Sequence, residues 1–477
     1  VVSIRIQYKK ITVTLSVVSV LACFIAYGCT NRFSNKQARM EQGNEAVTDH
    51  GQLAKIHIQY AQMSVTSVKF VEEAIHRFNE TNQDNIYIDL LKIPRDRYTE
   101  TLNMLNASGK GPDVYEVSKE WLTSYMYKGW IEDLSAYVDE SFFKPFPKWA
   151  VEFAKNSRNK DKFYTIPSNQ ITYRLIYNKD LFRKAGLNPE SPPTTLDQVK
   201  KYATIISEAE KGARKYGFAL PIGEEWGGLV QPMEATSAYS GVYFYNFQNG
   251  TYDLAGFKPW LTTYKSMEEN GALFPGMGAM KDDLATAQFA EGNIGMMYAA
   301  SWKPTLFAEQ YPPKNEWGVA MPPATSEATV GKGAVSIHAA GLNVVKSGTA
   351  HLQEAVKVWK YLYSIDYIGK LYQSGSLIPV MEGVLDNPRY TPSIAHFNEF
   401  LPGSRDSIYP DTPLNMDEWA RSKAYISAIG DGKSIDEALQ AESNRLNTLL
   451  NAFFTTFGVN KSDYTNSYFD PQHPLEK

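Results

Sequence analysis

The sequence predicts an α/β fold built in more than one lobe, and three observations carry that expectation. Residues 56–93 read strand, helix, strand. Ile56-x-Ile58-x-Tyr60 alternates like a half-buried strand, Val68, Val71, Ile75 and Phe78 share one helical face, and Asn85–Ile93 is extended again. That order at that length is the pattern of a parallel βαβ unit. The stretch Phe163–Thr195 then runs from a β-rich segment, Ile171–Tyr177, into a short helix, Leu181–Ala185. Gly186 and Pro189 close that helix, and Thr195-x-x-Gln198 is a capping box for the next. Finally, 477 residues are more than one hydrophobic core usually serves, so two or three lobes are expected.

The chain ahead of the first strand is of another kind. Residues 1–29 read as an export signal, with Arg5, Lys9 and Lys10 before an uncharged, mostly apolar run, Ile11–Gly28. Both cysteines, Cys23 and Cys29, lie here, so the residues after Cys29 can contain no disulfide. Ala26-Tyr27-Gly28-Cys29 resembles a bacterial lipobox, which implies lipidation of Cys29 at a mature N-terminus. Ala26 stands where Leu is usual, and Tyr27 where a small residue is usual. Cys23 is the competing lipidation site. An uncleaved membrane anchor is the other alternative, because the apolar run is close to the ~17–25 residues that span a bilayer. Residues 30–53 hold few large apolar side chains and read as a polar tether.

Past Lys55 the elements follow in order. Ligands meet the carboxyl ends of strands in parallel sheets, which makes Ala61–Ser64 a candidate cleft wall. Gly109 to Val117 turns the chain at Gly and Pro, with Asp113 bonding backbone, and ends in a strand followed by Glu120 and Trp121. Residues 196–222 give a helix and then a strand, Tyr216–Ile222, with Glu224-Glu225-Trp226 after it. Asp283–Glu291 is a helix, Ile294–Ala299 a strand and Ser301-Trp302 a loop. Trp317–Met321 is a strand ended by two prolines. Ala350–Ser364 is amphipathic, with Leu352, Ala355, Trp359 and Leu362 together. Met416–Ile429 is a helix, and Ser434-x-x-Glu437 caps another.

Composition narrows the function. A net charge of -4 and a pI near 6.1 give no basis for nucleic-acid binding, which favours a basic stripe. Aromatics reach 13%, with 30 Tyr and 9 Trp, which suits a surface that handles sugar rings. No zinc-protease, nucleophile-elbow, phosphate-loop or dinucleotide motif is present, and no two histidines stand at i, i+4. A catalytic site, a metal site and a cofactor are therefore not expected. The pair Glu224 and Glu225 keeps open one enzymatic alternative, a secreted carbohydrate hydrolase.

Several segments resemble one family. The stretch Tyr164-x-Ile166-Pro167 … Tyr177-Asn-Lys-Asp-Leu-Phe-x-x-Ala-Gly-Leu187 … Pro192-Pro-x-Thr195 is similar to a segment of the extracellular solute-binding proteins, family 1, of ABC importers. Gly109-Lys-Gly-Pro-Asp-Val114 matches a further motif, as do Phe289, Gly292, Met296 and Trp302, with Ala300 in place of the usual Gly. Ala339–Lys346 and Gly375–Pro379 match the family's second and third crossovers. The resemblance implies a two-lobed periplasmic-binding-protein-like fold, with two sheets, flanking helices and three interlobe crossovers near residues 170, 337 and 378. Lobe 1 would hold 54–169 and 338–377, and lobe 2 would hold 170–336 and 378–455, with 456–477 as a C-terminal tail. It implies capture of a carbohydrate, delivery to the transmembrane subunits of an ABC permease, a lipid-anchored monomer on the outer face of the bacterial membrane, and no catalysis. A solute-sensing lipoprotein feeding a receptor is the further alternative. By the same resemblance, Gln62, Glu120, Asn169, Gln170 and Glu225 would bond hydroxyls. Trp226, Trp302 and Trp419 would stack on sugar faces, and Trp121 would reach the cleft.

Overall fold

A computed structural model describes residues 55–64, 68–94, 97–156, 162–413, 418–430 and 434–475. The export signal, Cys23, Cys29 and the tether lie outside the described residues.

The first sheet has the order β12-β3-β1-β2. Its strands are β1 (Ile56–Ser64), β2 (Ile86–Pro94), β3 (Val114–Val117) and β12 (Leu342–Val345). β1 runs parallel to β2 and β3, and β12 joins antiparallel to β3. The alternation read from sequence holds: Ile58 and Tyr60 are buried while His57 and Gln59 are exposed. The helix Val68–Thr81 packs Val71 and Ile75 into the core with Phe78 against it. The helix Leu352–Leu362 buries Ala355, Trp359 and Leu362 against the same core, as its pattern requires.

The second sheet has the order β10-β5-β9-β6. It comprises β5 (Tyr173–Asn178), β6 (Tyr216–Phe218), β9 (Ile294–Ala300) and β10 (Trp317–Ala320). β5 and β9 are buried along their whole length, the mark of strands covered on both faces. A two-stranded ribbon, β7 (Tyr245–Asn246) and β8 (Thr251–Tyr252), flanks this lobe. The expected strand Tyr216–Ile222 is shorter than its pattern, because the chain leaves the sheet after Phe218.

A third sheet joins the two, in the order β13-β4-β11-β14. β4 (Asn169–Ile171), β11 (Val335–Ala340) and β13 (Ile378–Pro379) are the three crossovers. The fourth strand, β14 (Asp406–Ile408), pairs parallel to β11 and carries no sequence signal. The run Ile171–Tyr177, read as one strand, is two. It breaks at Thr172 because Asn169–Ile171 pairs in the hinge sheet and Tyr173–Asn178 in the second sheet. Gly341 makes the equivalent break between β11 and β12 at a φ of +68°, and a Cβ there would stand 2.0 Å from Ser168 Oγ.

After the third crossover, Glu382–Leu385 and Tyr390 pack on the helix Ile365–Gln373. Within the C-terminal tail, Phe469 packs on Tyr409 and Phe247, and Ala334 N–H donates to Pro471 O. The hinge is riveted by Arg174, whose guanidinium grips Asp406 through two bonds of 2.7 and 2.8 Å and also donates to the carbonyls of Glu399 and Leu401.

Candidate functional site: an acceptor-rich cavity at the hinge

Parallel strands end with their carboxyl groups pointing toward a crevice, and the chain crossings close that crevice from below. Here β1 contributes Tyr60 and Gln62, and β3 contributes Glu116. The first crossover contributes Ser168 and Asn169, the second Gly341 and Asn343, and the segment before the third Ser376 and Leu377. Together with Tyr367 and Leu371 they line a cavity of about 60 Å³.

The cavity wall is a hydrogen-bonded frame. Tyr98 OH donates to the Glu116 carbonyl at 2.9 Å and lies 3.2 Å from the Ala61 carbonyl. Trp359 Nε1 and Thr165 Oγ1 donate to the Asn343 carbonyl at 2.8 and 2.7 Å. Tyr363 OH accepts the Asn343 N–H at 3.1 Å and donates to the Ile166 carbonyl at 2.6 Å. These bonds hold the backbone, so the side chains facing the cavity sit on a rigid support.

Inside the frame, several acceptors stand close together. Tyr60 OH donates to Gln62 Oε1 at 2.5 Å and lies 3.4 Å from Asn343 Oδ1. Glu116 Oε1 accepts the Gly341 N–H at 3.0 Å. Burial raises the Glu116 carboxyl above its ordinary value, and the Gly341 N–H offsets part of that by favouring the charged form. Asn169 Oδ1 is buried and has no hydrogen-bond partner.

The residues singled out from sequence divide into three groups. Gln62 and Asn169 line the cavity. Gln170 is buried in the hinge instead, where Nε2 donates to the Pro379 carbonyl at 2.9 Å and ties the first crossover to the third. Trp121 is half-buried and packs beside Val117, Leu122 and Tyr125, away from the cavity lining. Trp302 follows β9 at its carboxyl end, half-buried against Tyr173, Ala235, Ala300 and Ile171, which sets it beside the first crossover in the second lobe. The side chains of Glu120, Glu225, Trp226 and Trp419 lie outside the described residues. Their backbones fall in the helix Lys119–Tyr127, the π-helical turn Glu225–Val230 and the helix Glu418–Gly430. Single π turns inside helices occur frequently at functional sites. Glu224 Oε2 accepts the Asp282 N–H at 3.4 Å, at the start of the helix Asp282–Ala290.

Sequence reasoning passed over Tyr60, Glu116, Asn343 and Tyr367. For Glu116 a signal existed: an acid at the carboxyl end of a strand whose neighbours are Val114, Tyr115 and Val117. Among the described residues, no group of three His, Cys, Asp or Glu is placed to hold a metal ion, and no helix is long and apolar enough to cross a membrane.

Known proteins share this architecture. A binding protein of Brucella abortus (strain 2308) is 26% identical over 364 residues, covering 76% of this chain and 85% of that protein. The sn-glycerol-3-phosphate-binding periplasmic protein UgpB of Escherichia coli (strain K12) is 26% identical over 340 residues, 67% of this chain and 73% of UgpB. The GacH receptor of Streptomyces glaucescens, solved unliganded and with acarbose, superposes with a TM-score of 0.69 at 19% identity, covering 84% of this chain and all of GacH. The family model of bacterial extracellular solute-binding proteins matches residues 61–367, more than half of the sequence. The chain belongs to the bacterial extracellular solute-binding protein family.

Proposed function

We propose that this protein captures a sugar, most readily an oligosaccharide, between its lobes outside the cytoplasm and delivers it to an ABC-type permease without chemical change. The observation that carries the reading is the cavity where three crossovers meet the carboxyl ends of β1 and β3, lined by hydroxyl, amide and carboxylate oxygens. Sugar hydroxyls are donors that such oxygens accept. The acarbose complex of GacH supports the class of solute, while UgpB marks a polyol phosphate as the competing class.

In this reading the hinge sheet is the axis of closure. Gln62 and Asn169 bond the solute from the first lobe, and Trp302 stacks from the second, because a ring face offers electron density to the C–H groups of a pyranose. Glu120, Glu225, Trp226 and Trp419 complete the set from both sides, Trp121 contributes a rim contact, and Gln170 acts by holding the floor. Cys29 carries the lipid that keeps the monomer at the membrane.

Thermal-shift screening against neutral sugars, amino sugars and sn-glycerol-3-phosphate tests the solute class. A ligand at 100 times its Kd adds ~2.7 kcal/mol. The best binder should also reduce the radius of gyration in small-angle scattering. A tight ligand that leaves the scattering curve unchanged would refute closure about the hinge. Cys29→Ser should release the protein into the medium or block its processing; unchanged membrane retention with normal processing would redirect the anchor to Cys23.

A further inference from the structure

Several hydrogen-bond acceptors stand side by side in the hinge cavity. Tyr60 has one hydroxyl proton, and at 2.5 Å Gln62 Oε1 takes it. Asn343 Oδ1 is left at 3.4 Å from the same hydroxyl. Asn169 Oδ1 is buried without a partner, and for the Glu116 carboxylate we find one backbone N–H, from Gly341. Among the described residues no Lys, Arg or His lines the cavity. The Glu116 charge is felt by the tyrosines around it, Tyr60, Tyr98, Tyr363 and Tyr367, which it pushes up. A half-buried carboxylate whose cavity holds no cation among the described residues, next to an unpartnered amide oxygen, is half of a recognition site. The missing half is a donor. The cavity has room for a few water-sized groups, which fits the end of a ligand rather than a whole ring.

We propose that Glu116 sets the specificity of solute capture by accepting a hydroxyl or ammonium group of the ligand in this cavity, which turns away phosphate and carboxylate groups. The assignment rests on the solute-capture reading and adds the chemistry of the group that enters first. A donor arriving at Glu116 favours its charged form, so a donor ligand lowers the carboxyl from its raised position and releases a proton. An anion in the same place meets the carboxylate without a counter-charge and forces proton uptake. The direction of proton exchange therefore reports which end of a ligand occupies the cavity, whatever the ligand's overall charge.

The test is titration calorimetry of the wild type and Glu116→Gln in two buffers of different protonation enthalpy, repeated at a series of pH values upward from the ordinary carboxyl range. The probes are maltotriose, raffinose, D-glucosamine, sn-glycerol-3-phosphate and inorganic phosphate. The tightest neutral or cationic probe should release protons from the wild type and none from Glu116→Gln, and should bind the variant about tenfold more weakly, since a charge-assisted bond becomes a neutral one. Preference for maltotriose or raffinose identifies the donor as hydroxyl; preference for D-glucosamine identifies it as ammonium. Unchanged affinity and proton count in the variant would overturn the proposal, as would phosphate or sn-glycerol-3-phosphate binding with proton uptake. If no probe binds, the sugar reading fails on its own. The ligand-free melting curves then decide the cavity: Glu116→Gln must gain on the wild type as pH rises, and coincident profiles would remove Glu116 from the site.

Discussion

Two carboxylates sit near the hinge and are treated in opposite ways. Asp406, on β14, faces the Arg174 guanidinium through paired bonds, with side-chain exposures of 4% for Arg174 and 1% for Asp406. It also accepts the Gly403 N–H at 2.9 Å. Glu116, on β3, meets the Gly341 N–H, and among the described residues no cation lines its cavity. Both groups stand beside the crossovers, Asp406 with its side chain buried and Glu116 on a half-buried residue. The difference is completeness. A fully matched charge pair holds two strands in one register and offers nothing to a newcomer. An acceptor left short of donors is costly in the empty protein and rewards whatever supplies them.

The largest expected effect is on the matched side. Arg174→Ala leaves Asp406 buried without its cation and removes donors from the Glu399 and Leu401 carbonyls. Removing one partner of such a pair costs about 3–5 kcal/mol, to be read from urea unfolding. Arg174→Lys should recover only part of it, because an ammonium cannot reproduce the two-pronged geometry. A loss below about 1 kcal/mol would mean that Asp406 is solvated, the range of a surface ion pair.

Next comes Trp302. If its ring stacks on the solute, Trp302→Ala costs at least ~2 kcal/mol of binding, roughly 30-fold. Its half-buried ring touches Tyr173 and Ala300, so the ligand-free melting temperature should also fall, though less than for Arg174→Ala. A large drop in melting with affinity intact would assign the ring to packing and pass the stacking role to Trp226.

The smallest effect belongs to Glu116 in the ligand-free state, and its sign is fixed. The folded carboxyl is raised by burial, so the folded state holds its proton to higher pH than the unfolded chain does. Stability is complete below the unfolded value and falls as pH rises through the folded one. Glu116→Gln has no such loss. It should match the wild type under acid conditions and melt progressively higher than it toward alkaline pH. An opposite slope would indicate that Glu116 has found a cation.

The sheets were readable where neighbours in sequence carry the signal. Ile58 and Tyr60 alternate with His57 and Gln59, and one turn later Val71 and Ile75 repeat at helical spacing. Asn178 caps its helix by accepting the Leu181 N–H, and Ser434 caps another by accepting that of Glu437. The three crossovers were legible through the family resemblance and form the hinge sheet. β14 was not legible, because a three-residue strand is held by Arg174, 232 positions away. The floor of the site was only half legible. Gln62 and Asn169 follow strand-end logic, whereas Glu116 and Asn343 gain meaning only when β3, β12 and the second crossover meet. Gln170 carries a bond no sequence signal announced, from its amide to the Pro379 carbonyl of the third crossover.

Gly341 has a consequence for how this sequence can change through descent. Its left-handed backbone, and the 2.0 Å at which a Cβ there would meet Ser168 Oγ, couple two positions 173 residues apart. A first mutation at 341 strains the joint, and trimming Ser168 beforehand would ease the collision yet leave the backbone unfavourable. Routes through this pair are therefore closed in both orders. A lineage exploring new solutes would vary the cavity wall and keep the pivot, so binding preference can drift over a hinge that stays fixed.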